Sequence, residues 1–173
     1  MELQITDINS LQLKKIYFYS VKLKGKEFSE FKDYYNRVKA NSRDHTEFLE
    51  IMYFLQKIGN EEGALKRHFK RENAADRIAG VFLIESEDER PQNDYGLRLY
   101  CYRYNDEIVI LFNGDRKTVA DSVQYCKNCF DHFKLAGSIS TGIDNAFELQ
   151  EIYIKEKFLI IPKEKVINYE KPK

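Results

Sequence analysis

Polar and apolar positions alternate along residues 97–104, "LRLYCYRY". Leu97, Leu99 and Cys101 fall on one side of an extended chain, and Arg98, Tyr100, Tyr102 and Tyr104 on the other. A second apolar run, "EIVILFN" at 107–113, follows across Asn105-Asp106, a pair that tolerates the positive φ of a tight turn, so the two runs predict a β-hairpin. Upstream, "KKIYFYSVKL" at 14–23 is dense in β-branched and aromatic residues and predicts a first strand, ended by Gly25. Over residues 26–40, Phe28, Phe31, Tyr35 and Val38 recur at helical spacing. After "NSRDH", a second stripe of Phe48, Ile51, Met52, Leu55 and Ile58 stops at Gly59, with Asp44 and Glu47 at its head spaced as in a capping box. Two amphipathic helices with a short connection predict an antiparallel helical hairpin.

The remaining elements are read from weaker patterns. "LKRHFKRENAADR" leads into "IAGVFLIES" at 78–86, read as a strand, and "EDERPQND" reads as a turn or loop. Thr118 with Asp121 predicts the cap of a third helix carrying Val119, Val123, Cys126, Phe130 and Phe133 on one face and closed by Gly137. "FELQEIYI" and "KFLIIP" each fit a strand or a short helix, and "KEKVINYEKPK" reads as a fraying end. The order strand, helix, helix, three strands, helix predicts an α+β fold with the helices packed on one face of a mainly antiparallel sheet. Residues 1–137 are read as that domain, and 138–173 as a C-terminal extension packed on it.

Composition narrows the function classes. The 173 residues are 43% hydrophobic and 14% aromatic, enough for a real core and unlike a disordered chain. Lys+Arg and Asp+Glu both number 28, so the net charge is zero and any attraction to nucleic acid must come from a local patch. No run approaches the ~20 apolar residues of a membrane span, and "MELQITDINS" lacks a signal-peptide core. An odd count of three cysteines argues against a disulfide framework. The expectation is a cytoplasmic protein with no membrane partner.

Candidate chemistry is cationic. Arg98 shares its strand face with three tyrosines able to stack on unpaired bases, although an exposed sheet face with tyrosine rings covering an arginine stem has the same pattern. Arg116 and Lys117, after Gly114, stand at the expected start of the third helix, where a helix N-terminus favours phosphate. Arg103 has the parity of the apolar face and is expected at a sheet margin or beside an acid. "KRHFKR" gathers Lys66, Arg67, His68, Lys70 and Arg71 into the densest basic patch; an imidazole is the side-chain type suited to proton transfer at neutral pH, so His68 is a candidate general acid or base. Cys126, Cys129 and His132 form C-x-x-C-x-x-H, but these positions drift around a helix and no second ligand pair exists, so packing is the reading and no metal is expected. "FNGDRKT" lacks the G-x-x-x-x-G-K-[ST] pattern, so no nucleotide or other cofactor is expected either.

In this order, "LQKIGNEEGALKRHF" after the helical hairpin, the strand "GLRLYCYRY", and "EIVILFNGDRKT" before a helix resemble the RelE/ParE/HigB superfamily of bacterial toxins over roughly residues 14–133. The resemblance implies a helical hairpin on a curved antiparallel sheet and a toxin-type protein with a cognate antitoxin as partner. For the ribonuclease branch it implies ribosome-dependent mRNA cleavage, in which a 2′-hydroxyl attacks the neighbouring phosphate. Arg98 and Arg116 would then stabilise the phosphate, Tyr100 and His68 would move protons, and Lys66, Arg67, Lys70, Arg71, Tyr102 and Lys117 would hold RNA. The alternative keeps the fold without catalysis, as a module binding an antitoxin or, as in the ParE branch, gyrase. The zero net charge, the acidic "ESEDE" stretch and the long tail point to that alternative.

Overall fold

The computed structural model describes residues 1–78, 95–163 and 165–172. Apart from Ile78, the strand expected over 78–86 lies outside the described residues, as does the loop expected at 87–94. A strand that the sequence reading missed opens the chain, β1 (Glu2–Gln12), followed by β2 (Tyr17–Leu23). The helical hairpin is α1 (Glu30–Ala40) and α2 (Ser42–Lys57). Ser29 caps α1 by accepting from the Lys32 amide, and Asn41 caps α2 by accepting from the Arg43 amide. The Asp44/Glu47 pair read as a capping box therefore has another task, described below.

A π-helical turn, Ile58–Glu62, and a 3-10 turn, Lys66–His68, lead to a hairpin of β3 (Phe69–Glu72) and β4 (Ala75–Ile78), turned at Asn73 with φ 59°. The expected second hairpin is β5 (Tyr100–Arg103) and β6 (Ile108–Leu111), with Asn105 Oδ1 accepting from the Glu107 and Ile108 amides in the turn. The third helix, α3, runs over Lys127–Glu148. It begins nine residues after Thr118, because Thr118 turns its amide and hydroxyl to the Cys126 sulfur instead of capping a helix there. It also continues through Gly137, so that residue, the expected edge of the domain, lies inside a helix. In the tail, β7 (Tyr153–Lys155) and β8 (Phe158–Ile160) form a small separate hairpin, and β9 (Ile167–Asn168) pairs with β1. Far from fraying, the tail closes the sheet edge, with the Met1 ammonium donating to Tyr169 O at 2.7 Å.

The main sheet has the order β3-β4-β5-β6-β2-β1-β9, antiparallel except for the β2–β6 pair. The α+β class and the helical hairpin on a curled sheet are as expected. The helices do not share one face, however. The hairpin packs Phe31, Tyr34, Phe48, Ile51 and Leu55 against Leu97, Leu99, Cys101, Val109 and Leu111. The other face, with Tyr100, Tyr102, Ile108, Ile110 and Phe112, is covered by Ala136, Ile139, Ile143 and Ala146 of α3. The cause is legible in β6, whose "IVIL" is buried at every position: a strand apolar on both sides needs a layer on each.

One irregularity positions the site. Between the pairs Cys101↔Leu111 and Leu97↔Arg116, the first chain advances four residues (101 − 97) and the second five (116 − 111). The extra residue is a β-bulge, which reverses the side-chain parity beyond it. It lies at Phe112–Asn113, where the Phe112 amide donates to Tyr100 O and the Tyr100 amide donates to Asn113 O. Gly114, the next residue, comes so close to the neighbouring strand that a Cβ there would lie 1.9 Å from the Arg98 carbonyl oxygen. Gly114→Ala should therefore cost about 2 kcal/mol or more in urea unfolding; a midpoint equal to wild type would show that the close approach is not needed.

Candidate anion-binding site

Beyond the bulge, Arg98 projects on the α3 face of the sheet, with Arg77, Cys129, Tyr100 and Glu72 around it. Lys117 joins it there, feeling both Arg98 and Arg77. Burial, then the neighbouring Arg77 charge, holds the Arg98 guanidinium below its ordinary value. Lys117 is lowered by burial first and then by Arg98. Arg77 is tied to Glu72 at 2.6 Å, and the Lys117 ammonium sits 5.7 Å from the centre of the Tyr95 ring. The Arg98 side chain makes no hydrogen bond or ion pair among the described residues. Three cations thus converge beside one acid. The N-terminus of α3, which follows Cys126, has no side-chain cap and carries Cys129 in its first turn, adds its positive dipole end to the same place. Such an arrangement binds an anion, and a planar guanidinium favours phosphate or carboxylate.

The tyrosines do something else. Tyr100 is 1% exposed and meets Phe133 edge-on at 6.2 Å, Tyr102 donates to Asp144 Oδ1 at 2.5 Å, and Tyr104 stacks on Phe147 at 4.2 Å. Their face seats α3, so Tyr102 is not placed to stack on RNA bases. Burial drives the Tyr100 hydroxyl far above its usual range, as burial and then Asp144 do for Tyr102.

Arg116 is on the opposite face, turned there by the bulge. Its Nε donates to Asp44 at 2.6 Å and its Nη1 to Glu47 at 2.8 Å, in a region where Arg116 is 5% exposed. Glu47 also accepts from the Leu97 amide. Nearby, Arg37 donates to Asn113, Gly114 and Asp115, while Asn113 donates to Glu30 and Asp33. This polar network belongs to the scaffold, so Arg116 is not grouped with Arg98 at a phosphate site.

The "KRHFKR" stretch is divided between the faces. His68 packs on Phe54 of α2, with its ring nitrogens against Gly63 O and Glu62, so it lies away from Arg98. Arg67 pairs with Glu62 at 2.7 Å and Arg71 with Asp76 at 3.4 Å. Lys66 is exposed on the 3-10 turn. Lys70, exposed, stands across from Arg77, which stands across from Tyr100, so it borders the Arg98 cluster. Arg103 donates to Ala64 O and pairs with Asp106 at the sheet margin. Cys126 and Cys129 are buried in packing, and no metal-holding group of His, Cys, Asp or Glu occurs among the described residues. Lys70, Lys117 and Arg98 thus lie in one region of the sheet, together with Arg77, which the sequence reading did not single out and whose signal was the Asn73-Ala74 turn that starts its strand. No family model, curated protein or solved structure matches this chain.

Replacing Arg116 with Met strands two carboxylates in a buried setting and should cost about 3 kcal/mol, read from urea unfolding; a loss below about 1 kcal/mol would deny the ion pairs their structural role. Glu30, whose carboxyl burial raises despite donation from Asn113, should carry the opposite sign. Its folded pKa exceeds the unfolded one, so its contribution to stability grows as pH falls through the folded pKa and is unfavourable at neutral pH. Glu30→Gln keeps an acceptor for Asn113 and should melt higher than wild type at pH 7, with the gain vanishing near pH 4. An equal shift at both pH values would contradict this.

Proposed function

We propose that this chain is a toxin-type RNA-binding protein of the RelE/HigB kind, in which Arg98, flanked by Arg77 and Lys117, holds a backbone phosphate of mRNA on the ribosome. The observation that carries the reading is the Arg98 guanidinium, part-buried and without a partner among the described residues. Burying a charge is costly unless something pairs it, and an anionic ligand removes that cost. Attack of a 2′-hydroxyl on the adjacent phosphate builds negative charge on the non-bridging oxygens, and Arg98 with Lys117 would oppose it at the transition state. The two groups first expected to move protons are badly placed for it, Tyr100 buried and His68 on the other face. Acceleration would then rest on charge stabilisation, with solvent taking and giving the protons.

That same observation favours a second reading, a non-catalytic module that uses the cationic face to grip an antitoxin or gyrase. Around Arg98, Glu72 is tied to Arg77 and the Cys129 thiol is pushed well up by burial, so neither is a ready proton carrier.

Purified protein added to a bacterial cell-free translation reaction, with mRNA ends mapped by primer extension, separates the two. The first reading predicts new 5′ ends, lowered about 100-fold by Arg98→Ala and less by Lys117→Ala. Intact mRNA in the presence of folded protein supports the second.

A further inference from the structure

A cleft of about 550 Å³ runs along α3 between the β3–β4 turn and the C-terminal tail. That volume is within the ~300–1,000 Å³ typical of small-ligand sites. Its walls include the carboxamides of Asn73, Asn145 and Asn168 and the hydroxyl of Ser138, none of which has a protein partner among the described residues. Phe133 forms the end nearest the cation cluster, since the same ring meets Tyr100 edge-on at 6.2 Å and Tyr100 stands across from Arg77. Cys129, beside Arg98, is one helical turn before Phe133 and two before Gly137, a span of about 12 Å.

Gly137 is the second observation. A glycine inside a helix is destabilising against alanine, and packing explains the other glycine of α3: a Cβ on Gly142 would meet Asn168 O and Tyr169 Cβ at 2.8 Å. A Cβ on Gly137 would meet nothing within 4 Å. The fold does not require glycine there, and the missing side chain leaves the floor of the cleft open.

We infer that this cleft is a nucleobase-binding subsite for the single-stranded RNA nucleotide adjacent to the phosphate held by Arg98. The inference rests on the RNA reading above and extends it with a place for the base. Carboxamides present both donors and acceptors to the edge of an unpaired base, and an aromatic edge at the near end limits its path. The subsite recognises a base outside a duplex, because no wall of the cleft offers a cationic row to follow paired backbones.

Fluorescence anisotropy with a labelled single-stranded RNA hexamer, and with the same hexamer carrying abasic sites, tests it on wild type, Arg98→Ala, Gly137→Leu and Gly137→Ala. The expected result is weaker binding of the abasic strand by wild type, and at least tenfold weaker binding of the full hexamer by Gly137→Leu, with its preference for bases lost. Gly137→Ala should raise the melting temperature, which establishes that the position tolerates a side chain should the leucine variant fold poorly; it should also reduce the preference for bases. Binding that depends on Arg98 but is unchanged in a folded Gly137→Leu variant, or in Gly137→Ala if leucine does not fold, overturns the subsite and leaves the RNA reading standing. No RNA binding by wild type, or binding indifferent to Arg98→Ala, overturns that reading and the subsite with it.

Discussion

A guanidinium buried between a sheet and a helix must be paired, and Arg116 is paired twice, with Asp44 and Glu47 at the start of α2. Those bonds, with Glu47 also accepting from the Leu97 amide, fix the helical hairpin to the segment that follows β6. Arg37 of α1 clamps the same segment through Asn113, Gly114 and Asp115. The segment can reach both helices only because the bulge at Phe112–Asn113 turns Arg116 toward them. The same half-turn sends Lys117 the other way, to Arg98. Scaffold and candidate site are therefore set by one extra residue.

This arrangement divides the arginines of two neighbouring chain segments by role. Arg116 has acids on its face and holds layers together. Arg98 has cations beside it, Glu72 shared with Arg77, and no ion pair among the described residues, an unfavourable placement for a resting charge that an anionic ligand would relieve. The zero net charge of the whole chain does not conflict with this, since the carboxylates of Asp33, Asp44, Glu47 and Asp115 are taken up by Asn113, Arg116 and Arg37.

The helical hairpin was legible because its stripes follow a clean 3.6-residue period, and the β5–β6 hairpin because alternation and a turn pair coincide. Strand β1 was not, because its burial alternates only over Leu3 and Ile5 and a register shift follows between Asp7 and Gln12. The strand parity of Arg98, Tyr100 and Tyr102 was read correctly, but a periodic pattern cannot say whether water, a ligand or a helix covers that face. The tyrosines turned out to seat α3. Arg116 was misplaced because it was read at the head of the third helix, whereas the chain is still extended there, pairs Arg116 with Leu97, and begins that helix only at Lys127. Asp44 and Glu47 had the spacing of a cap, and only the tertiary fold assigns them to Arg116.

The most direct test follows the arginine side chains themselves. In protein with 15N-labelled arginine, the Nε–Hε resonances of Arg98 and Arg116 can be assigned through their Lys variants and followed while a single-stranded RNA hexamer is added. The account predicts that the Arg98 resonance shifts and saturates while that of Arg116 stays fixed against Asp44. Movement of Arg116 with Arg98 unaffected would contradict the division of the two faces on which the whole reading depends.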